Sequence, residues 1–153
     1  MAGSKDKRLH ALGNSPRTCV QLSSRGPEKR RPLARTVLIV DDSPLVRRNV
    51  CSALVSDGFD VCGEANNGQE AIELAGKLSP DLIILDLSMP GMNGLQAAPV
   101  LLRLVPKSPI ILYTLYADKT VEQQLATVKV DSVLSKQEPL SRLTEEAHSL
   151  LGE

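Results

Sequence analysis

Residues 81–94 read DLIILDLSMPGMNG. Four aliphatic residues, Leu82 to Leu85, run into a carboxylate, Asp86, and the chain then turns at Pro90-Gly91. A short continuous apolar run bounded by turn residues suits a strand covered on both faces. What needs explaining is the charge at its end. One reading is a strand-end Asp facing water. The other is a reactive or metal-binding carboxylate at the carboxyl end of a parallel strand, where open α/β sheets place ligands.

The same pattern recurs to either side. Val37 to Val40 is a second apolar run, followed by Ser43 as helix N-cap and Pro44 at the first helical position. Val46, Val50 and Leu54 recur at one-face helical spacing, and Gly58 closes that helix. Asp60 to Ala65 is a weaker strand, Asn67-Gly68 a turn, and Ala71, Leu74, Ala75 and Leu78 the buried face of a second helix. After Asp86, Leu95 to Val105 is helical, with Pro99 expected to kink it or delay its start. Pro109 to Tyr113 is a strand, Val121, Leu125 and Val128 mark a helix, and Ser132 to Ser135 is a fifth strand. Leu140, Leu143, Ala147, Leu150 and Leu151 stripe the last helix. Five strand–helix units without a hairpin signal predict one α/β domain with a doubly wound five-stranded parallel sheet.

Composition bounds the rest. The 153 residues suggest one domain, with 42% hydrophobic and 24% charged residues, as in soluble globular proteins. Residues 1–35 hold nine Lys/Arg against two acidic residues, a net +7, while residues 36–153 hold nine against sixteen, a net −7. The first 35 residues lack apolar periodicity and are expected to be a disordered basic tail ahead of a folded domain at 36–153. Without interleaved aromatics the tail gives little support for nucleic-acid binding, and no nucleic-acid partner is expected. Cys19, Cys51 and Cys62 lack metal-ligand spacing and read as reduced thiols, Cys51 and Cys62 in the core. No apolar run reaches the ~18 residues of a membrane span. A cytoplasmic protein without a membrane partner is expected.

In a parallel sheet the carboxyl ends of the strands share one edge. There the sequence places Asp41-Asp42 after the first strand, Asp86 after the third, Thr114 at the end of the fourth and Lys136 after the fifth. Three crowded carboxylates call for a hard divalent cation, Mg²⁺ above all. A metal and a Lys could neutralise charge on a transferring phosphoryl group while Thr binds an oxygen, with Asp86 as the nucleophile.

The stretches VLIVDDSPLVR (37–47), PDLIILDLSMPGMNG (80–94), PIILYT (109–114) and SVLSK (132–136) together resemble the receiver domain of bacterial two-component response regulators. The resemblance covers residues 36–151 and implies a flavodoxin-like fold with strand order 2-1-3-4-5. It implies phosphoryl transfer to Asp86 from a sensor histidine kinase or histidine phosphotransfer protein, with Mg²⁺ required. By matching motif, Asp42, Asp86 and the backbone carbonyl of Ser88 would hold the metal directly and Asp41 through water. Thr114 and Lys136 would grip the phosphoryl oxygens. It further implies a downstream protein target on the helix 4–strand 5–helix 5 face, where a homodimer could also form.

Four positions depart from the family pattern. Val133 stands where the family usually has a switching aromatic ring, and Tyr116 is a candidate substitute. Leu115 follows the switch Thr where a small residue is common and could narrow access to Asp86. Gln137 replaces a frequent Pro, and Lys129 a helix-ending Gly. With the chain ending at Glu153, output is expected by protein contact, and no turnover of an external substrate. His10 lies in the tail and His148 reads as a surface residue, so neither serves as an internal phosphodonor. An aspartyl phosphatase would need a second acid two residues past the nucleophile, where Ser88 stands. A phosphorylation-insensitive scaffold of the same fold is the alternative that Leu115 and Val133 keep open, and a phosphorelay intermediate would use the same site.

Overall fold

Aliphatic runs without polar interruption settle as strands where both faces find cover. In the computed structural model, which describes residues 34–115, 117 and 119–152, three strands are of this kind. They are β1 (Thr36–Val40), β3 (Leu82–Leu85) and β4 (Ile110–Thr114), buried almost throughout. β2 (Asp60–Ala65) and β5 (Ser132–Ser135) carry small and polar residues and are largely half-buried. The sheet sorts them accordingly, in the order β2-β1-β3-β4-β5 with every pairing parallel. This is the flavodoxin-like arrangement anticipated from the sequence. Residues 1–33, most of the expected basic tail, lie outside the described residues.

Helices cover both faces. α1 (Pro44–Ser56) starts as read, with Ser43 Oγ accepting from the Val46 N–H at 3.3 Å and Pro44 in the first turn. Asn67-Gly68 is a helix start rather than a free-standing turn. Asn67 Oδ1 accepts from the Glu70 N–H at 2.8 Å and opens α2 (Gly68–Leu78). Ala71 and Ala75 are buried as expected, but Leu78, the last residue of α2, is exposed. α3 (Gly94–Leu104) is started by a reciprocal cap between Asn93 and Gln96 and runs through Pro99, so no delayed start occurs. α4 (Lys119–Gln124) is shorter than its stripe, with Leu125 and Val128 beyond its end. The β-branched pair Thr127-Val128 favours an early stop. α5 (Leu140–Leu151) buries Leu143 and Ala147 of its stripe, and Thr144 outside it, while Leu140, Leu150 and Leu151 are half-buried.

Side-chain alternation along the strands divides the interior into two layers. Ile39, Ile84, Leu54 and Leu143 pack under α1 and α5, and Leu38, Ile83, Ala75 and Leu101 under α2 and α3. The β1–β2 ladder skips Cys62, whose thiol donates to the Val37 carbonyl at 3.4 Å. Burial pushes that thiol up to about 11, which leaves it inert near neutrality. Cys51 is wholly buried on α1, in the core as expected. His148 is half-buried rather than a free surface residue, with Nε2 2.9 Å from Asp57 Oδ2 and its ring 4.6 Å from that of Phe59. Among the described residues no helix is long and apolar enough to cross a membrane.

The loop between β3 and α3 folds back tightly on Asp86. The Gly94 N–H donates to the Leu87 carbonyl at 3.0 Å, and a Cβ at Gly94 would overlap the Asp86 carbonyl oxygen and stand 2.9 Å from Leu87 Cα. Those contacts are backbone and cannot swing aside. Gly94→Ala is expected to lose about 1–3 kcal/mol of stability, read as a lower urea midpoint at unchanged slope. A midpoint equal to that of the parent would show that the loop has room to spare.

Candidate functional site

Parallel pairing brings the strand ends together because each successor residue hydrogen-bonds to the neighbouring strand. The Asp41 N–H donates to the Ala65 carbonyl at 3.0 Å, Asp86 N–H to Val40 at 2.9 Å, and Lys136 N–H to Thr114 at 2.7 Å. Three residues far apart in sequence are thereby fixed at one sheet edge. Asp41, Asp86 and Thr114 are buried, Lys136 is half-buried and Asp42 is exposed.

Lys136 Nζ lies 2.6 Å from Asp41 Oδ2 and 3.2 Å from Asp86 Oδ1. One ammonium is thus shared by two nearly dry carboxylates, with Asp41 favoured. Burial first, and then the neighbouring Asp41 charge, push the Asp86 carboxyl up to about 6, against the pull of Lys136 and the Ser88 N–H. Burial alone would lower Lys136, but its bonds and charge pairing with Asp41 and Asp86 together hold it above the ordinary range. The two shifts are compatible because Lys136 gives its closer contact to Asp41. The Ser88 N–H is 3.4 Å from Asp86 Oδ1, so both contacts on Asp86 fall on the same oxygen.

The chemistry of this donor set suits a hard cation. Oxygens of Asp41, Asp42 and Asp86 lie within 4.8 Å of one another. Ligands on one octahedral ion at ~2.1 Å stand roughly 3–4 Å apart, so little closure is required. A groove of about 500 Å³ opens beside them, lined by Asp42, Ser88, Met89, Pro90 and Gln124 among others.

The remaining sequence candidates are placed less tightly. Leu115, next after Thr114, is 47% exposed at the rim. Val133 is half-buried against the layer under α2 and α3. Tyr116 lies outside the described residues. Sequence reading missed Tyr113, which is buried on the opposite face from that layer and helps line a cavity of about 240 Å³ with Lys136, Asn49 and Leu140. It also missed Arg47. The buried positions of α1 are Arg47, Val50, Cys51 and Leu54, a stripe at i, i+3, i+4 and i+7 that begins on the Arg rather than on Val46. A buried Arg needs an acid, and the Glu64 of β2 was the available signal.

The family model described as response regulator receiver domain matches residues 37–148. The chemotaxis protein CheY of Thermotoga maritima is 38% identical over 80 residues, which is 52% of this chain and 67% of that protein. A protein-glutamate methylesterase/protein-glutamine glutaminase of Archaeoglobus fulgidus is 39% identical over 97 residues, 63% of this chain and 28% of that enzyme. The chain therefore spans under a third of that enzyme's length. Among solved structures, the NarL signal receiver domain of Mycobacterium tuberculosis superposes with a TM-score of 0.72 at 28% identity, over 79% of this chain and 98% of that one.

The raised Asp86 carboxyl has a consequence for stability. It binds its proton more tightly folded than unfolded, so its contribution is favourable at low pH and is lost as pH rises through about 6. Glu64, also raised by burial, acts with the same sign. Without divalent metal, the protein is expected to be less stable at pH 7.5 than at pH 5. Asp86→Asn should flatten much of that slope and gain about 1–3 kcal/mol at pH 7.5. Urea titrations at both pH values check this, and a variant that is destabilised at pH 7.5 would contradict it.

Proposed function

The chain belongs to the response regulator receiver domain family, and on that premise we propose that it is a phosphorylation-gated signalling module of a two-component system. The observation that carries the reading is the shared lysine. Lys136 reaches both Asp41 and Asp86 at an edge where Thr114 ends the adjoining strand and a third carboxylate, Asp42, stands open. A strand-end Asp that merely faced water would be neither buried nor paired in this way. The esterase and glutaminase named for the Archaeoglobus enzyme are not carried to this chain.

Near neutral pH Asp86 is mostly ionised, since about 6 lies below 7. Its Oδ1 holds Lys136 and the Ser88 N–H, which leaves Oδ2 to attack the phosphorus of a donor phosphohistidine. The P–O bond to Asp86 forms as the P–N bond breaks, and the imidazole departs with that electron pair and takes up a proton. Asp42, Asp86 and the Ser88 carbonyl would hold Mg²⁺ directly, and Asp41 through water. When bound, that ion supplies neutralisation of charge on the transferring oxygens. Lys136 and Thr114 grip the phosphoryl oxygens, and the inward pull on Thr114 draws the following segment and α4 with it. The α4–β5–α5 face is thereby altered for a protein target or a second receiver. Val133 supplies no aromatic ring for this motion, so the backbone after Thr114 must carry it.

Intact-mass measurement after incubation with acetyl phosphate and Mg²⁺ tests the reading. One added phosphoryl group is expected, absent without Mg²⁺ and absent in Asp86→Ala. If none is added, Leu115→Ala separates two causes. An adduct that appears only in that variant identifies Leu115 as an access barrier. No adduct in either favours a phosphorylation-insensitive scaffold.

A further inference from the structure

Asp41 has every polar atom committed. Its N–H donates to Ala65 O at 3.0 Å, Oδ1 accepts from the Ser43 N–H at 2.9 Å, and Oδ2 meets Lys136 Nζ at 2.6 Å. Its carbonyl oxygen accepts from Arg47 Nη1 at 2.6 Å. The last contact fixes the plane of the Asp41–Asp42 peptide, and so the direction in which the chain leaves β1 and presents the Asp42 carboxylate. Arg47 is itself held from behind, with Nε 3.1 Å from Glu64 Oε1 and both side chains less than a tenth exposed. A planar guanidinium with donors in a fixed fork can hold two acceptors at a set angle, which a Lys cannot do.

We propose that Arg47, anchored by Glu64, is a positioning residue for the metal site: by fixing the Asp41–Asp42 peptide it sets the affinity of Asp42 and Asp86 for Mg²⁺. This rests on the reading of those two carboxylates as metal ligands. Arg47 acts on the site through the backbone, by its bond to the Asp41 carbonyl. It has the place that outer hydrogen-bond partners occupy around metal ligands generally, where their loss costs about 10–100-fold in metal affinity.

Calorimetric Mg²⁺ titration of the full chain tests this without phosphorylation. Arg47→Met is expected to weaken binding about tenfold or more. Because that change strands a buried Glu64, the pair variant Arg47→Met with Glu64→Leu removes both charges and should keep the fold, verified by its thermal transition. Arg47→Lys, which keeps a charge opposite Glu64, should fall between. Arg48→Met removes an exposed positive charge one residue away and should bind Mg²⁺ as the parent does. A folded pair variant with parental affinity overturns the proposal, and so does an Arg48→Met loss equal to that of Arg47→Met, which would mean net charge alone is at work. A parent that binds no Mg²⁺, or binds it equally well as Asp86→Asn, overturns the metal-site reading itself.

Discussion

Two buried carboxylates and one ammonium govern this molecule. Asp41 and Asp86 cannot both be ionised and dry at close range without a cation, since unpaired buried charge costs several kcal/mol. Lys136 supplies that cation only because β5 lies beside β4 in parallel register and ends level with Thr114. Register, strand order and the ion cluster are therefore one constraint. A slip of one residue in β5 would turn Lys136 to the other face and leave both acids uncompensated. Asp81 makes the contrast plain. At the opposite end of the sheet it accepts from the Thr36 N–H at 2.8 Å and the Thr36 hydroxyl at 3.2 Å, and its charge serves to close a backbone gap.

Much of the fold was legible because central parallel strands leave an unusual mark. β1, β3 and β4 need apolar residues on both faces, and such runs stand out against amphipathic helices. The chemical edge was legible largely for the same reason, since Asp41 and Asp86 each interrupt an apolar run at its carboxyl end and Lys136 directly follows the last strand. What was missed depends on partners distant in sequence. Arg47 reads as an exposed helix residue until Glu64 is brought beside it, and His148 until Asp57 and Phe59 are.

Local chemistry misled in two places. Asn67-Gly68 is a common turn pair, but an Asn side chain that caps the next N–H makes the same residues a helix start. The apolar stripe from Val121 to Val128 promised a longer helix than α4. Periodicity records which side chains face the core, and Leu125 does face it, whether or not the backbone remains helical.

The close seat of Gly94 under Asp86 makes the molecule mechanically lopsided. On the β1–β3 side, backbone packs on backbone, and Arg47 and the capped ends of α1 and α3 leave nothing slack. On the other side stands a six-residue α4, pinned by Val121 and followed by Leu125, with most of its neighbours in solvent. Short elements with few buried contacts open at low free energy. A load applied at Asp86 would meet a rigid abutment on one flank and a compliant one on the other, and under the switching proposed above its displacement would collect at α4. On that proposal, differences in stiffness would choose the surface that moves, before any dedicated switching side chain took part.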